Sequence, residues 1–459
     1  MNTPIVIPLW LLVLVVLFAA VTFASHFLFP SVRWFFRRRA ERVVARVNDR
    51  LQKPIEPFKL ARRYDTIQRL VYDPEVIKAV NAYAKAEGVR EDVAFEKARH
   101  YAGEIVPSFS AIAYFSFGMR VAKWLSRFLY RLRVGQFDRA EYEAIDPDAT
   151  VIFVMNHRSN MDYVLVTYLV SRASALSYAV GEWARVWPLS AMIKMMGGYF
   201  IRRKSRRQAV SGGLYRKVLA RYVQMATEGG VTQAVFPEGG LSLDGRMAKP
   251  RLGILSYIID GFDPNGRDVV FVPVALNYDH VLEDRFLIKA DQTGVRRFRP
   301  PLTTVLGGTF GFLWARVTRR MTTFGTANVG FGKPLSLRDF ANQNEGSTIA
   351  LGAELMRRIS GVVPVVPVPL VCRAILAGAN TETDIAMQID KDLAAMPDTI
   401  RRPSRGAADL AADGIEVLKR RKLISSGPKI VPMDNGMPIL EYYAASISHH
   451  LPMAINADP

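Results

Sequence analysis

The segment Asn156-His157-Arg158-Ser159-Asn160-Met161-Asp162-Tyr163 holds the most specific chemistry in the chain. It follows the apolar run Val151 to Met155 and precedes a helical stretch. A histidine at a strand end, with an aspartate five residues on, can set the carboxylate against one imidazole nitrogen. The other nitrogen then faces a cleft as a general base. Such a base takes a proton from an alcohol and contributes roughly 10² to 10⁴ in rate. The same spacing also fits a histidine capping a loop and an aspartate at a helix N-terminus.

Three further clusters lie downstream. In Gly197-Gly198-Tyr199-Phe200-Ile201-Arg202-Arg203 the glycines allow close backbone approach, and two arginines follow whose forks suit phosphate. Consecutive strand residues face opposite ways, so one of Arg202 and Arg203 is expected to enter a site. With Lys204, Arg206 and Arg207 the cluster equally suits a solvated or membrane-facing patch. Phe236-Pro237-Glu238-Gly239-Gly240-Leu241-Ser242 follows another apolar run, where α/β sheets carry their ligand loops. Glu238 suits a polyol or a cation, or an ion pair at the strand end. Ser242 is not read as a nucleophile, because the G-x-S-x-G elbow fails at Asp244. In Phe271 to Asp279, Pro273 interrupts a buried-strand run. Proline belongs at edges or bulges, so the backbone is expected to leave its ladder there. This wall suits an acyl chain or plain core packing.

The elements that must hold these residues have an α/β texture from about residue 135, with short β-branched runs alternating with longer amphipathic stretches. Strands are expected at Thr150 to Met155, Gln233 to Phe236, Val269 to Leu276 and Ala327 to Phe331. Helices are expected over 163–172, 205–229 and 249–260. Four regions result: an anchor at 1–32, a basic, helical, membrane-proximal region at 33–134, a catalytic domain at 135–340 and a helical C-terminal extension at 341–459.

From Leu9 to Phe29 no Asp, Glu, Lys or Arg occurs, and about 20 apolar residues suffice to cross ~30 Å of hydrocarbon. This reads as one transmembrane helix rather than a secretory signal, since residues 1–8 lack Lys and Arg and no A-x-A site follows. Arg33, Arg37, Arg38, Arg39 and Arg42 form a collar that the positive-inside rule assigns to the cytoplasm, and the catalytic body with it. A second lipid-facing candidate is 117–132. There Arg120, Lys123, Arg127 and Arg131 share a helical stripe beside Phe117, Val121, Trp124, Leu125, Phe128 and Leu132. A surface helix packed on the core explains the pattern equally.

Over 459 residues the 61 Lys and Arg exceed the 42 Asp and Glu, a formal charge of +19 that points to an anionic partner. Half the chain is hydrophobic, which excludes global disorder. One cysteine, Cys372, permits no intramolecular disulfide and no Cys-based zinc site. The six histidines make no helical metal-ligand spacing, so no metal is expected. The apolar anchor and the lack of a reading motif make nucleic acid an unsuitable partner.

Taken in order, the four clusters resemble the glycerolipid acyltransferases, in particular the glycerol-3-phosphate acyltransferase branch. His157 to Tyr163 is similar to the family's H-R-S-x-x-D-Y block, Gly197 to Arg203 to its G-x-x-F-I-R-R block, and Val272-Pro273-Val274 with Tyr278 to its V-P-V-x-x-x-Y block. The resemblance runs from about 135 to 340, with a further echo at Leu440 to Ile447. It implies an α/β acyltransferase fold with a twisted sheet flanked by helices. It implies a membrane-bound enzyme that moves a fatty acyl group from a thioester of coenzyme A or acyl carrier protein to glycerol 3-phosphate. No resident cofactor and no acyl-enzyme are required. His157 would deprotonate the hydroxyl and Asp162 would orient the imidazole. Arg202 or Arg203 would hold the phosphate, Glu238 and Gly239 would shape the acceptor pocket, and Pro273 would join the substrate wall. Arg158, Ser159, Phe200, Gly240 and Ser242 complete the expected substrate-binding set. One block departs: where the family has E-G-x-R-S-R, Leu241 and Leu243 occupy the two arginine positions. Arg246, Lys249 or Arg251 are the nearby replacements. The departure leaves lysophosphatidic acid, dihydroxyacetone phosphate or another alcohol as acceptor, or a catalytically inactive lipid-binding homologue, as the alternatives.

Overall fold

The computed structural model describes residues 8–10, 12–18, 38, 41–42, 44–170, 174–181, 189–202, 209–294, 324–344 and 347–451. The chain divides into two compact units, Met1–Pro54 and Ile55–Pro459. In the first, residues 12–18 are helical, and apolar side chains from Leu12 to Phe18 are exposed. Among the described residues no helix is long and apolar enough to cross a membrane. The greater part of the expected span, 9–29, lies outside them, as does most of its arginine collar.

After a single helical turn at Pro57–Leu60 the second unit continues with α1 (Arg63–Val71), α2 (Pro74–Glu87) and α3 (Glu91–Ile105). The start and stop of α2 are legible: the Asp73 side chain accepts from Glu75 N, Pro74 sits at the first position, and Gly88 ends the helix left-handed. A π-helical stretch, Ala113–Gly118, runs into α4 (Met119–Leu129). The sheet and its connections follow: β1 (Arg131–Val134), β2 (Thr150–Met155), α5 (Met161–Val170), β3 (Ser177–Gly181), α6 (Leu189–Met195), β4 (Gly198–Ile201), α7 (Ala209–Glu228), β5 (Gln233–Val235), α8 (Gly253–Asp260), β6 (Val269–Tyr278), α9 (Asp284–Thr293), β7 (Thr326–Phe331) and β8 (Leu335–Ser336). The C-terminal helices are α10 (Leu337–Asn344), α11 (Thr348–Ser360), α12 (Pro367–Leu376), α13 (Glu382–Ala395), α14 (Ala407–Arg420) and α15 (Met437–Ala445).

The strands form one mixed sheet in the order β1-β7-β6-β2-β5-β3-β4, with β8 also on β6. β2 is parallel to β5 and β6, whereas β6 and β7 are antiparallel. Both faces are covered, which is why β2 and β6 are apolar without alternation. Val151, Phe153 and Met155 join the core beneath α5 and the C-terminal helices, while Ile152 and Val154 join the core beneath α3, α7 and α11. Of the expected strands, Thr150–Met155 has the expected bounds and the other three have ends shifted by one or two residues; helices occupy the described residues of 163–172 and 205–229 up to Glu228, and the one expected at 249–260 starts at Gly253. β1, β3, β4 and β8 lie outside that expected strand set.

Two expectations require correction. The helix expected over 117–132 ends at Leu129: Tyr130 is extended, and Arg131 and Leu132 pair with Thr326 and Ala327 of β7. The ladder bonds of a sheet edge override helical periodicity there. Pro273 stays inside the sheet, opposite Val154. On its other side the partner changes from β8 to β7. Two residues of β6, Val272 and Pro273, face three, Gly332 to Pro334, and Gly332 N donates to Pro273 O at 2.8 Å. Proline occupies the bulge where a backbone N–H has no strand to serve.

Candidate active site

β2 ends by borrowing a side chain. The Asn156 amide donates to Leu276 O at 3.0 Å and accepts from Leu276 N at 2.8 Å, extending the β2–β6 ladder by one step. The next residue, His157, therefore leaves the sheet at its carboxyl edge, beside the loops that follow β5 and β6. This is where an open α/β sheet binds ligands. His157 is almost fully buried, and its ring lies 4.0 Å from that of Phe236 and edge-on to Tyr163.

Asp162, in the first turn of α5, is the hub. One of its oxygens accepts from His157 Nδ1 at 2.9 Å, Arg158 N at 2.7 Å and Ser159 N at 3.0 Å, and the other accepts from the Tyr278 hydroxyl. A carboxylate met by four donors can only accept, so Nδ1 carries the proton and Nε2 presents its lone pair. The imidazole borders an open cleft of about 510 Å³ lined also by Arg202, Arg216, Gly239, Gly240 and Arg251, with Leu219, Ile254 and Tyr257 on its apolar side. A base held by a buried carboxylate, beside guanidinium groups and an apolar wall, can deprotonate an alcohol that carries an anionic group. Among the described residues no cluster of His, Cys, Asp and Glu is arranged to hold a metal.

Of the remaining site candidates, Gly239 and Gly240 border the cleft. Gly239 is left-handed with φ +67°, and a Cβ there would stand 2.5 Å from Arg251 Cδ, so the arginine stem lies across the glycine. Arg251 lines the cleft, placed by this contact and by its own N–H on Pro237 O at 2.7 Å. Leu241 and Leu243, at the motif positions, pack against the core. Neither is available to an anion.

Several candidates serve the frame instead of the cleft. Glu238 accepts His157 N at 3.0 Å on one oxygen and Ala248 N at 2.9 Å on the other. Burial raises its carboxyl, against the pull of Arg158 and these two N–H donors. It tethers backbone to backbone, is buried, and is not among the residues that line the cleft. Ser242 donates from Oγ to Arg246 O at 2.6 Å and from N to His157 O at 2.9 Å. Arg158 is buried, Ser159 Oγ donates to Glu283 at 2.7 Å, Phe200 is core, Pro273 is in β6, and Arg246 is exposed outside the cleft. The Arg202 fork closes on Glu104 at 2.8 and 2.5 Å and lies over Tyr101 and Tyr215, so it borders the cleft with its charge already matched. Arg203 lies outside the described residues. Sequence reading placed Asn156 in the first cluster without a role and missed Arg216, Tyr257 and Glu283, which come from separate elements that no spacing links.

The comparisons extend the likeness along the chain. The acyltransferase family model matches residues 136–277, and a model described as the glycerol-3-phosphate acyltransferase C-terminal region matches 308–453. A glycerol-3-phosphate acyltransferase of Aeromonas hydrophila is 27% identical over 428 residues, 85% of this chain and 50% of that protein. One from Shewanella halifaxensis is 26% identical over 446 residues, 88% of this chain and 52% of that protein. The chain thus spans about half the length of these relatives. The crystal structure of the 1-acyl-sn-glycerophosphate acyltransferase PlsC from Thermotoga maritima is 19% identical, covers 59% of this chain and 84% of its own, and has a TM-score of 0.30. The chain carries an acyltransferase domain followed by a glycerol-3-phosphate acyltransferase C-terminal region, and its likeness is to the glycerolipid acyltransferases of the glycerol-3-phosphate branch.

Proposed function

We propose that the protein is a membrane-bound glycerol-3-phosphate O-acyltransferase of phospholipid biosynthesis. The observation that carries this reading is the His157–Asp162–Tyr278 array opening onto a cleft that also holds Arg216 and Arg251. His157 Nε2 takes the proton of the acceptor hydroxyl as its oxygen attacks the thioester carbonyl. The C–S bond breaks on collapse, and the departing thiolate takes the proton back from the imidazolium. Asp162 holds the ring in one tautomer and balances its charge while it is protonated. Arg251 and Arg216 receive the acceptor phosphate, replacing the arginines lost at Leu241 and Leu243.

The donor is an acyl thioester of coenzyme A or of acyl carrier protein, and no resident cofactor is invoked. Attachment is single-pass through 9–29, with the catalytic unit on the cytoplasmic face and the exposed side of α4 resting on anionic lipid. An acceptor already bearing one acyl chain is the second reading, favoured by the apolar side of the cleft at Leu219, Ile254 and Tyr257.

Thiol release from acyl-coenzyme A in nanodiscs, with and without glycerol 3-phosphate, tests the proposal. His157→Ala should lose about 10² to 10⁴ in rate. Arg251→Ala should keep kcat and raise the KM for glycerol 3-phosphate by about 10-fold, as expected for a charge-assisted hydrogen bond. Absence of transfer to any phosphorylated glycerol, from either donor, overturns it.

A further inference from the structure

The stretch from His157 to Asn160 belongs to no helix or strand, so its geometry is imposed from outside. Part of it comes from Asp162. The rest comes from Glu283, the residue before α9, which accepts Ser159 Oγ at 2.7 Å, Asn160 N at 3.1 Å and Asn160 Nδ2 at 2.9 Å. Glu283 is placed in turn by its neighbour. Asp284 is buried and accepts from the Tyr443 hydroxyl at 2.6 Å and from Arg421 at 2.5 Å, while Tyr443 Oη accepts Val281 N at 2.9 Å. Tyr443 lies on α15 and Arg421 directly follows α14.

A second strut reaches the same turn. The buried Arg158 guanidinium donates to Gly245 O and to Ser446 O at 3.2 Å, and Ser446 follows α15. Gly245 is left-handed with φ +82°, and any Cβ there would collide with the Tyr442 carbonyl oxygen. The loop after β5 therefore presses on α15 with its backbone.

We propose that Glu283 and Arg158 are positioning residues through which the C-terminal helices α14 and α15 set the orientation of His157. This rests on the reading of His157 as the base. The C-terminal region is then part of the catalytic frame: loosening α15 releases both struts and lets the turn relax while the sheet stays intact.

The test uses the full chain with Glu283→Gln and Tyr443→Phe, reading kcat and KM separately together with hydrogen exchange of the peptide 157–162. The amide that Glu283→Gln introduces keeps one acceptor oxygen and turns an N–H toward the donors of Ser159 and Asn160. This variant should lower kcat by about 10²-fold, the scale of a 1 Å misplacement, leave KM unchanged, and speed exchange in 157–162 but not in β2. Tyr443→Phe, which touches neither turn nor cleft, should give the same pattern at smaller amplitude. Wild-type kcat and exchange in Glu283→Gln overturn the proposal, as does faster exchange spread over the whole sheet in both variants. If Glu283→Gln does not fold, Tyr443→Phe decides alone. If the wild type transfers no acyl group, the functional reading fails, and the exchange arm still decides whether the C-terminal helices hold the turn.

Discussion

Asp162 accepts four hydrogen bonds, and only one comes from the residue its motif pairs it with. Two come from the amides of its own turn, so the i, i+5 spacing is also what folds the turn. The fourth comes from Tyr278, 116 residues away, whose hydroxyl is pushed well above its ordinary value, first by burial and then by this carboxylate. A phenol held protonated there is a permanent donor. Tyr278→Phe removes it and leaves one Asp162 oxygen without a partner, a loss of roughly 1.5 to 3 kcal/mol for a bond to a charged group. The expected result is a fall in kcat of about 10- to 100-fold at unchanged KM, measured by thiol release. Unchanged kcat would show that the three turn donors suffice. The motif made His157 and Asp162 legible. The frame roles of Arg158, Ser159, Glu238 and Ser242 were not, because whether a motif side chain faces a cleft or a backbone group depends on the loop packed over it.

At the scale of elements, α4 carries apolar side chains on both sides: Leu125, Phe128 and Leu129 pack on the core, while others stand in the open. Ala122, Ser126 and Leu129 face inward, while Phe117, Val121 and Trp124 are exposed beside Arg120, Lys123 and Arg127, and Trp124 stacks on Phe128 at 5.0 Å. An outer face that carries aromatics among cations suits a helix lying in the headgroup region. In anionic vesicles carrying brominated acyl chains, Trp124→Phe should abolish a quenchable component of the tryptophan emission. Equal quenching in wild type and variant would remove α4 from the membrane. The amphipathic pattern was readable over 117–129. Its end was not, since Arg131 to Val134 obey β7 and not their own helical spacing.

Across the whole molecule, Asp279 joins sheet to C-terminal helices: its carboxylate accepts Thr326 N at the start of β7 and Val368 N in the first turn of α12. Burial pushes it up to about 6, outweighing these donors and Arg131. The folded state thus holds a proton that the unfolded chain releases near pH 4, so the stabilisation is complete below that value and lost as pH rises to about 6. The change is roughly 2 to 3 kcal/mol. Thermal unfolding followed from about pH 4 to 7 should show this decline in the wild type, and Asp279→Asn should lack it; parallel profiles would contradict the assignment.

By itself the sequence determined the α/β class, the main strands, the His157/Asp162 pair and the amphipathic pattern of α4, because these rest on local periodicity and on residues a few positions apart. Only the tertiary structure decided that Arg251 stands in the cleft while Leu241 and Leu243 pack inward, that Arg202 is matched by Glu104, and that Glu283, Arg421 and Tyr443 converge behind the stretch from His157 to Asp162. Those partners lie tens to hundreds of residues apart. Their meeting is fixed by sheet order and by which loop covers which strand end, neither of which spacing along a chain can express.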